Sequence, residues 1–175
     1  MDKDAQIRLL IDNAPPDGVT PQLIAAIAPV LDALASSLKH TQYYILRDID
    51  EHWVLTTLSN RANPELSKRV IYAYPTLQDV TTNVGVGSDP QIVAALIPVI
   101  DVLFQLVALE PVDSIVFFET PGTTDNAFEV QRSHLMALIQ QVLQQNSNSA
   151  KHPTTNSTPK KAAKKKRCAI PDDIA

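Results

Sequence analysis

The stretch TPQLIAAIAPVLDAL, residues 20–34, occurs twice in this chain, because it returns as DPQIVAALIPVIDVL at residues 89–103. Pro21 of the first copy aligns with Pro90 of the second at an offset of 69 positions, and 8 of the 15 aligned pairs are identical. Two prolines, a glutamine and an aspartate rarely align in one register by chance. The sequence therefore predicts an internal duplication of a helix–strand unit, with repeats at residues 18–46 and 87–118.

Each copy has the pattern of a helix that begins at a polar residue followed by proline. Thr20 and Asp89 are favoured N-cap residues, and proline is tolerated at the first helical position. Apolar residues then recur at three- and four-residue spacing, which predicts amphipathic helices over about residues 21–38 and 90–108. A second proline lies inside each predicted helix, where it costs about 3 kcal/mol, so we expect both helices to kink or divide there.

The segments around the repeats predict further helices and the strands of a sheet. Helical patterns occupy residues 2–12, 76–82 and 127–145. Stretches rich in β-branched and aromatic residues predict strands at 42–48, 52–58, 68–74 and 113–119. We therefore expect an α+β fold, with helices packed on a small mixed or antiparallel sheet of about four strands.

The chain divides at about residue 147 into an acidic part and a basic tail. Residues 1–147 carry 17 acidic and 8 basic side chains, a net charge of −9, whereas residues 148–175 carry 2 acidic and 7 basic ones, a net charge of +5. We expect residues 1–147 to form a single globular domain. The tail has too few apolar residues to offset its ordering entropy, so residues 148–175 are expected to be disordered. Two isoleucines near its end predict a short terminal docking motif.

The lysine-rich run KKAAKKKR in the tail, residues 160–167, is the strongest local signal in the sequence. In composition it resembles nuclear-localisation sequences and nucleic-acid-binding tails. The tail residues expected to contact a partner are Lys160, Lys161, Lys164, Lys165, Lys166, Arg167, Ile170 and Ile174. Bound to phosphates, such a run gives salt-sensitive and sequence-independent affinity. Because the rest of the chain is acidic, nucleic-acid contact is expected through the tail alone.

The sequence carries no recognisable pattern for catalysis, metal binding or a cofactor. The four histidines have no partners at metal-ligand spacing, and no nucleophile motif is present. The glycine-containing segment 84–89 lacks the lysine of a phosphate-binding loop. A polar turn explains Asp48, Asp50 and Glu51. We therefore predict a protein without catalytic residues, metal or cofactor.

Aromatic residues on neighbouring predicted strands raise the question of a groove. Tyr44, Trp53 and Tyr72 could line one, or strand alternation could divide them between core and surface. An enzyme that uses a cleft around Tyr44 and Tyr72, with His52, is the least favoured interpretation.

These features favour a non-enzymatic protein-interaction module, such as an adaptor, an assembly factor or a regulator of a larger complex. The alternative is binding of nucleic acid or an anionic surface through the lysine-rich tail. Exposed faces of the duplicated helices would also allow a homodimer.

Cellular location is constrained by the single cysteine and the character of the N-terminus. Cys168 excludes an internal disulfide, and the first residues lack a signal-peptide pattern, which favours a cytoplasmic location, or a nuclear one in a eukaryote. Residues 92–109 approach the length of a transmembrane span, but Pro98 and Asp101 within them favour a buried helix and no transmembrane segment.

Overall fold

The computed structural model describes residues 2–60, 63–84 and 90–149, and within them the fold is α+β, as predicted. The helices are α1 Lys3–Asp12, α2 Thr20–Ser36, α3 Leu77–Val84, α4 Val99–Ala108 and α5 Arg132–Ser149. The strands are β1 Gln42–Arg47, β2 Thr56–Asn60, β3 Asn63–Tyr74, β4 Val93–Pro98, β5 Ser114–Phe118 and β6 Ala127–Gln131. The described part of the sheet thus has six strands, rather than the four predicted. Residues 150–175, nearly all of the predicted tail, lie outside the described residues.

The long central strand β3 organises a mixed sheet of order β4-β1-β3-β5-β6. Its C-terminal end pairs with β1 through Tyr44 and Tyr74, and its earlier residues pair with β2, both antiparallel. On its other side β3 pairs in parallel with β5, and β6 then pairs antiparallel with β5. A parallel pair needs a crossover, which the chain supplies between residues 75 and 113.

The main core lies between one face of the sheet, the inner face, and four helices, α1, α2, α4 and α5. Its fully buried side chains include Leu31, Tyr43, Ile100, Leu103, Phe117 and Leu135. Helix α4 is central, because five of its ten residues are buried. Burial of each large apolar side chain contributes about 1.5–3 kcal/mol, so this layer supplies most of the stabilisation of the fold.

The two copies of the repeat adopt different structures, so the prediction of two equivalent helices is wrong. Residues 20–34 lie in α2, which continues through Pro29 as one helix. In the second copy, residues 93–98 form β4 and α4 begins only after Pro98. Pro98 therefore stands before the first helical residue, where its missing N–H removes no helical hydrogen bond. The two copies agree in structure only over their last five residues, 30–34 and 99–103, which are helical in both, and a duplicated helix–strand unit is not confirmed.

Side-chain shape and strand pairing account for this difference. The second copy has the β-branched Ile97 where the first has Ala28, which favours a strand there. All six residues of β4 pair with the six residues of β1, and Ile97 is buried opposite Tyr43. Tertiary pairing therefore overrides the helical periodicity of the sequence.

Three further boundaries differ from the sequence prediction. Helix α2 has Val19 rather than Thr20 at its N-cap position, and the Asp17 carboxylate just before it accepts hydrogen bonds from the backbone N–H groups of Val19 and Thr20 at 2.9 and 2.7 Å. The predicted helix 127–145 begins as strand β6 and becomes helical only at Arg132. The predicted strands 52–58 and 68–74 are found as β2 and β3 at shifted positions.

A buried glutamine joins α1 to the first turn of α4. Gln6 Nε2 donates to the Thr41 carbonyl oxygen at 3.0 Å, and Gln6 Oε1 accepts from the Ile100 N–H at 3.2 Å. The Val99 N–H also donates to Thr41 O, at 2.9 Å. Since Gln6 is 1% exposed, these bonds satisfy helix-terminal groups that water does not reach.

Candidate interaction surface

The second face of the sheet, which we call the outer face, is apolar and aromatic rather than polar. Directly paired residues of neighbouring strands point to the same face, so the register defines its members. Its apolar and aromatic members in the four strands from β4 to β5 include Ala94 and Leu96 of β4, Tyr44 and Leu46 of β1, Tyr72 and Tyr74 of β3, and Val116 and Phe118 of β5. The same register places Ser114 of β5 and Glu129 and Gln131 of β6 towards the β6 edge of this face. A sheet face in contact with water normally carries polar side chains, whereas this composition is typical of a face that packs against another element.

Helix α3 covers one end of the outer face. Its Val80 is fully buried and packs in one cluster with Leu46, Tyr74 and Phe118. The ring of Phe118 lies 5.1 Å from that of Tyr74 and stacks on Tyr72 at 5.6 Å, measured between centroids. This end of the face is therefore a small second core.

A buried aspartate holds α3 in place. Asp79, which is 6% exposed, accepts a hydrogen bond from the Gly122 N–H at 2.6 Å and one from Thr76 Oγ1 at 2.5 Å. Gly122 has φ +81°, a left-handed conformation that glycine adopts without strain. The connection between β5 and β6 is thus tied to the start of α3.

The remainder of the outer face is open in the part of the chain that the structure describes. Tyr44, Tyr72, Val116 and Ala94 are half-buried, and Leu96 is 47% exposed. Glu129 of β6 lies directly opposite Val116 at the edge of this area, and its carboxylate forms an ion pair with Lys68 of β3. We call this open, uncharged area the tyrosine patch.

The structure brings together two of the three residues predicted to form a groove. Tyr44 and Tyr72 both lie in the tyrosine patch. Trp53 instead packs against the main core on the inner face, beside a small cavity of about 290 Å³ that Ile71 and Leu109 also line. A single groove containing all three is therefore not present. The predicted tail residues, from Lys160 to Ile174, lie outside the described residues.

Sequence reasoning missed Leu96, Ala94 and Val116 as members of a surface. The helix predicted over 90–108 placed Leu96 on a buried stripe, whereas the strand exposes it. The uninterrupted run of aliphatic residues at 92–97, ending at a proline that would fit a helix start, was the available signal for a strand.

Glu119, Tyr43 and His40 are residue types that occur in active sites, but here they form a buried structural group. Glu119 Oε1 accepts a 2.6 Å hydrogen bond from the Tyr43 hydroxyl, and Glu119 Oε2 accepts one of 2.8 Å from the Lys39 N–H. His40 Nε2 lies 3.1 Å from the Glu119 backbone oxygen. Burial, and then the bond to the Glu119 carboxylate, raise the pKa of Tyr43 far above its ordinary value. With both carboxylate oxygens engaged by the protein, the group joins the α2–β1 connection to the end of β5.

The predicted polar turn at residues 48–51 brings three potential metal ligands together. Side-chain donor atoms of Asp48, Asp50 and His52 lie within 4.8 Å of one another. Desolvation acts to raise the pKa of Asp48, but hydrogen bonds from the N–H groups of His52 and Asp50 and from the His52 ring lower it below its ordinary value. Because these bonds within the turn already engage Asp48, we assign no metal to the cluster.

No described helix combines the length and apolar character needed to cross a bilayer. No protein-family model matches the sequence, and no curated protein matches it significantly. A proposal for the function of this chain therefore rests on the surfaces that its described residues form.

Proposed function

We propose that this chain is a non-enzymatic protein-interaction module, acting as an adaptor, an assembly factor or a regulator of a larger complex. The observation that carries the proposal is the tyrosine patch, an open and uncharged part of an otherwise packed sheet. Contiguous exposed apolar patches on soluble domains commonly mark contact sites. Tyrosine is enriched at such sites, because its ring is buried while its hydroxyl remains able to form hydrogen bonds.

The chemistry of the patch defines the partner it suits. Leu96, Val116 and Ala94 offer aliphatic surface, and Tyr44 and Tyr72 offer rings. A partner with an apolar, weakly charged surface fits this face, whereas a polyanion finds no cation within it. The basic tail, residues 148–175, would serve as a second contact element outside the patch.

A matched pair of variants on one strand tests the proposal. Leu96 and Val93 both belong to β4 and are 47% and 50% exposed, but an odd spacing places them on opposite faces of the sheet. Full-length wild type, Leu96→Glu and Val93→Glu would each be used to capture proteins from native lysate. We expect a specific protein partner whose recovery falls about tenfold with Leu96→Glu, since a carboxylate buried in an apolar contact weakens binding by at least about 1.4 kcal/mol. Val93→Glu should retain it.

The result that would overturn the proposal is equally concrete. If no protein distinguishes Leu96→Glu from Val93→Glu, the patch is not a contact surface. Thermal unfolding of both variants must first show that they fold.

The alternative function, binding of nucleic acid or an anionic surface, rests on the lysine-rich run at 160–167. Its distinguishing outcome is recovery that is lost after nuclease treatment and falls steeply with salt, while Leu96→Glu has no effect.

A further inference from the structure

A second apolar surface lies on the opposite side of the molecule, between helices α2 and α5. It is a groove with a volume of about 420 Å³. Val30 and Leu34 line it from α2, and Leu138 and Val142 line it from α5; Ser37 and Gln145 are among its polar lining residues. None of the described lining residues carries a charge. The groove therefore suits apolar side chains, and any charged neighbour of those side chains must stay in contact with water.

Helix α5, the last element of the described chain, forms one wall of this groove. Helix α5 ends at Ser149, and Leu138 lies eleven residues earlier, about 17 Å along the helix at 1.5 Å per residue. Beyond the helix, the sequence continues for 20 residues, 150–169, before it reaches Ile170. A chain of that length spans about 25 Å on average if it behaves as a coil, so the segment that follows can reach back to the groove.

The tail has one segment that matches an apolar groove. Ile170 and Ile174 are the only branched aliphatic or aromatic residues in the sequence from 150 to 175. They stand close together in residues 168–175, after the lysine-rich run, and the carboxylates of Asp172 and Asp173 between them would have to point away from the groove into water. An intramolecular segment on such a tether experiences an effective concentration of about a millimolar, so even weak affinity gives a substantial bound fraction.

Charge also favours contact between the lysine-rich run of the tail and the body. The body, residues 1–147, has a net charge of −9 and the tail one of +5. Ser37 of the groove also lines a neighbouring depression that contains Glu119 and Asp125 together with Lys39. The lysine-rich run would thus lie near an acidic body while the isoleucines occupy the uncharged groove.

We propose that residues 168–175 bind in the groove between α2 and α5 of the same molecule, through Ile170 and Ile174. The groove is separate from the tyrosine patch, so the inference stands or falls independently of the proposed function. Occupied in this way, the terminal segment is withheld from any other partner until that partner displaces it.

The single cysteine provides a direct test in the full-length chain. A nitroxide spin label on Cys168 would be carried beside the docked segment, and paramagnetic broadening would be measured on ¹⁵N-labelled protein. We expect strong broadening of the amide signals of Ala33, Leu34 and Val142 in the groove. Signals of α3, such as Thr82, should be little affected because α3 lies on the opposite face of the sheet.

Two sets of variants separate specific docking from random collisions. Ile170→Ser combined with Ile174→Ser should lower the docked fraction relative to the free one by at least about tenfold, since burial of one isoleucine alone changes a binding constant by that factor. This change lies outside the folded domain. Ala33→Glu places a charge in the groove and should also abolish broadening, whereas Ala25→Glu, at an exposed alanine of the same helix outside the groove, should leave it unchanged.

Three results would overturn the proposal. The first is uniform or absent broadening in the wild type. The second is broadening that survives both isoleucine substitutions, which would mean attraction by charge alone. The third is broadening that persists in a mixture of two proteins, one with the spin label but no ¹⁵N and the other with ¹⁵N but no spin label. This result would assign the contact to a second copy of the chain.

Discussion

Removal of one buried hydroxyl group, by Tyr43→Phe, tests the energetic role of the link between β1 and Glu119. The ring of Tyr43 is fully buried and contacts Phe117 at 4.9 Å between centroids, and phenylalanine preserves that contact. The substitution removes the 2.6 Å hydrogen bond to Glu119 and the weaker one that the hydroxyl accepts from the His40 N–H at 3.4 Å. Glu119, 8% exposed, keeps its bond from the Lys39 N–H.

The expected loss of stability follows from the charge of the acceptor. A hydrogen bond to a charged group contributes about 1.5–3 kcal/mol. For a domain of this size, about 1 kcal/mol lowers Tm by about 2–4 °C, so Tyr43→Phe should lower Tm by about 3–12 °C. Urea denaturation followed by circular dichroism would give the free energy of unfolding. The matched control is Tyr44→Phe, the next residue, whose ring lies on the outer face.

Tyr44→Phe should change the free energy of unfolding by no more than about 0.5 kcal/mol. An effect of Tyr43→Phe as small as that of this control would show that the hydrogen bond to Glu119 does not stabilise the fold. A double-mutant cycle with Glu119→Gln would then show whether the two side chains couple at all.

Three further outcomes follow from the structure. Gln6→Ala should cost about 1–3 kcal/mol and speed hydrogen exchange at the first turn of α4, as measured by exchange mass spectrometry; unchanged exchange there would contradict the role of Gln6 as its cap. Asp79→Ala should speed exchange in α3 more than in α5, because the bond to Gly122 is lost; equal effects on both helices would contradict local anchoring. Burial, and then the proximity of Tyr72, raise the pKa of Tyr74 to about 12 from 10.0. Tyr74 therefore ionises at a lower pH in the unfolded chain than in the folded one, so the free energy of unfolding falls as pH rises from about 10 towards 12. Urea denaturation over this range should show a smaller fall for Tyr74→Phe than for the wild type.

The fold class and most element positions could be predicted from sequence because they depend on local pattern. Helix α1 and strands β1 and β5 lie where their local sequence patterns place them, although the one buried residue of α1 is the polar Gln6. The second repeat could not be predicted in this way. Residues 93–98 have helical periodicity, and only their pairing with β1, distant in sequence, makes them a strand. The physical cause is non-local, since a strand makes its backbone hydrogen bonds with neighbouring strands whereas a helix makes them within its own segment.

The candidate surface was only partly predictable for the same reason. Tyr44 and Tyr72 could be chosen as aromatic residues of neighbouring strands, and they do share a face. Trp53 could not be separated from them, because strand alternation fixes a face only when the register is known. Leu96 lies in the patch because residues 93–98 form a strand, where the sequence predicts a helix.

The pairing of β1 with β4 has a consequence for how the chain folds. Tyr43 and Ile97 are opposite each other in the sheet although 54 residues separate them. The parallel pair of β3 and β5 likewise waits for the crossover between them to form. Contacts of such sequence separation carry a large loop-closure entropy and slow the folding rate. During synthesis, β1 therefore remains with an unpaired edge until residue 98 has left the ribosome, and the sheet assembles late and cooperatively.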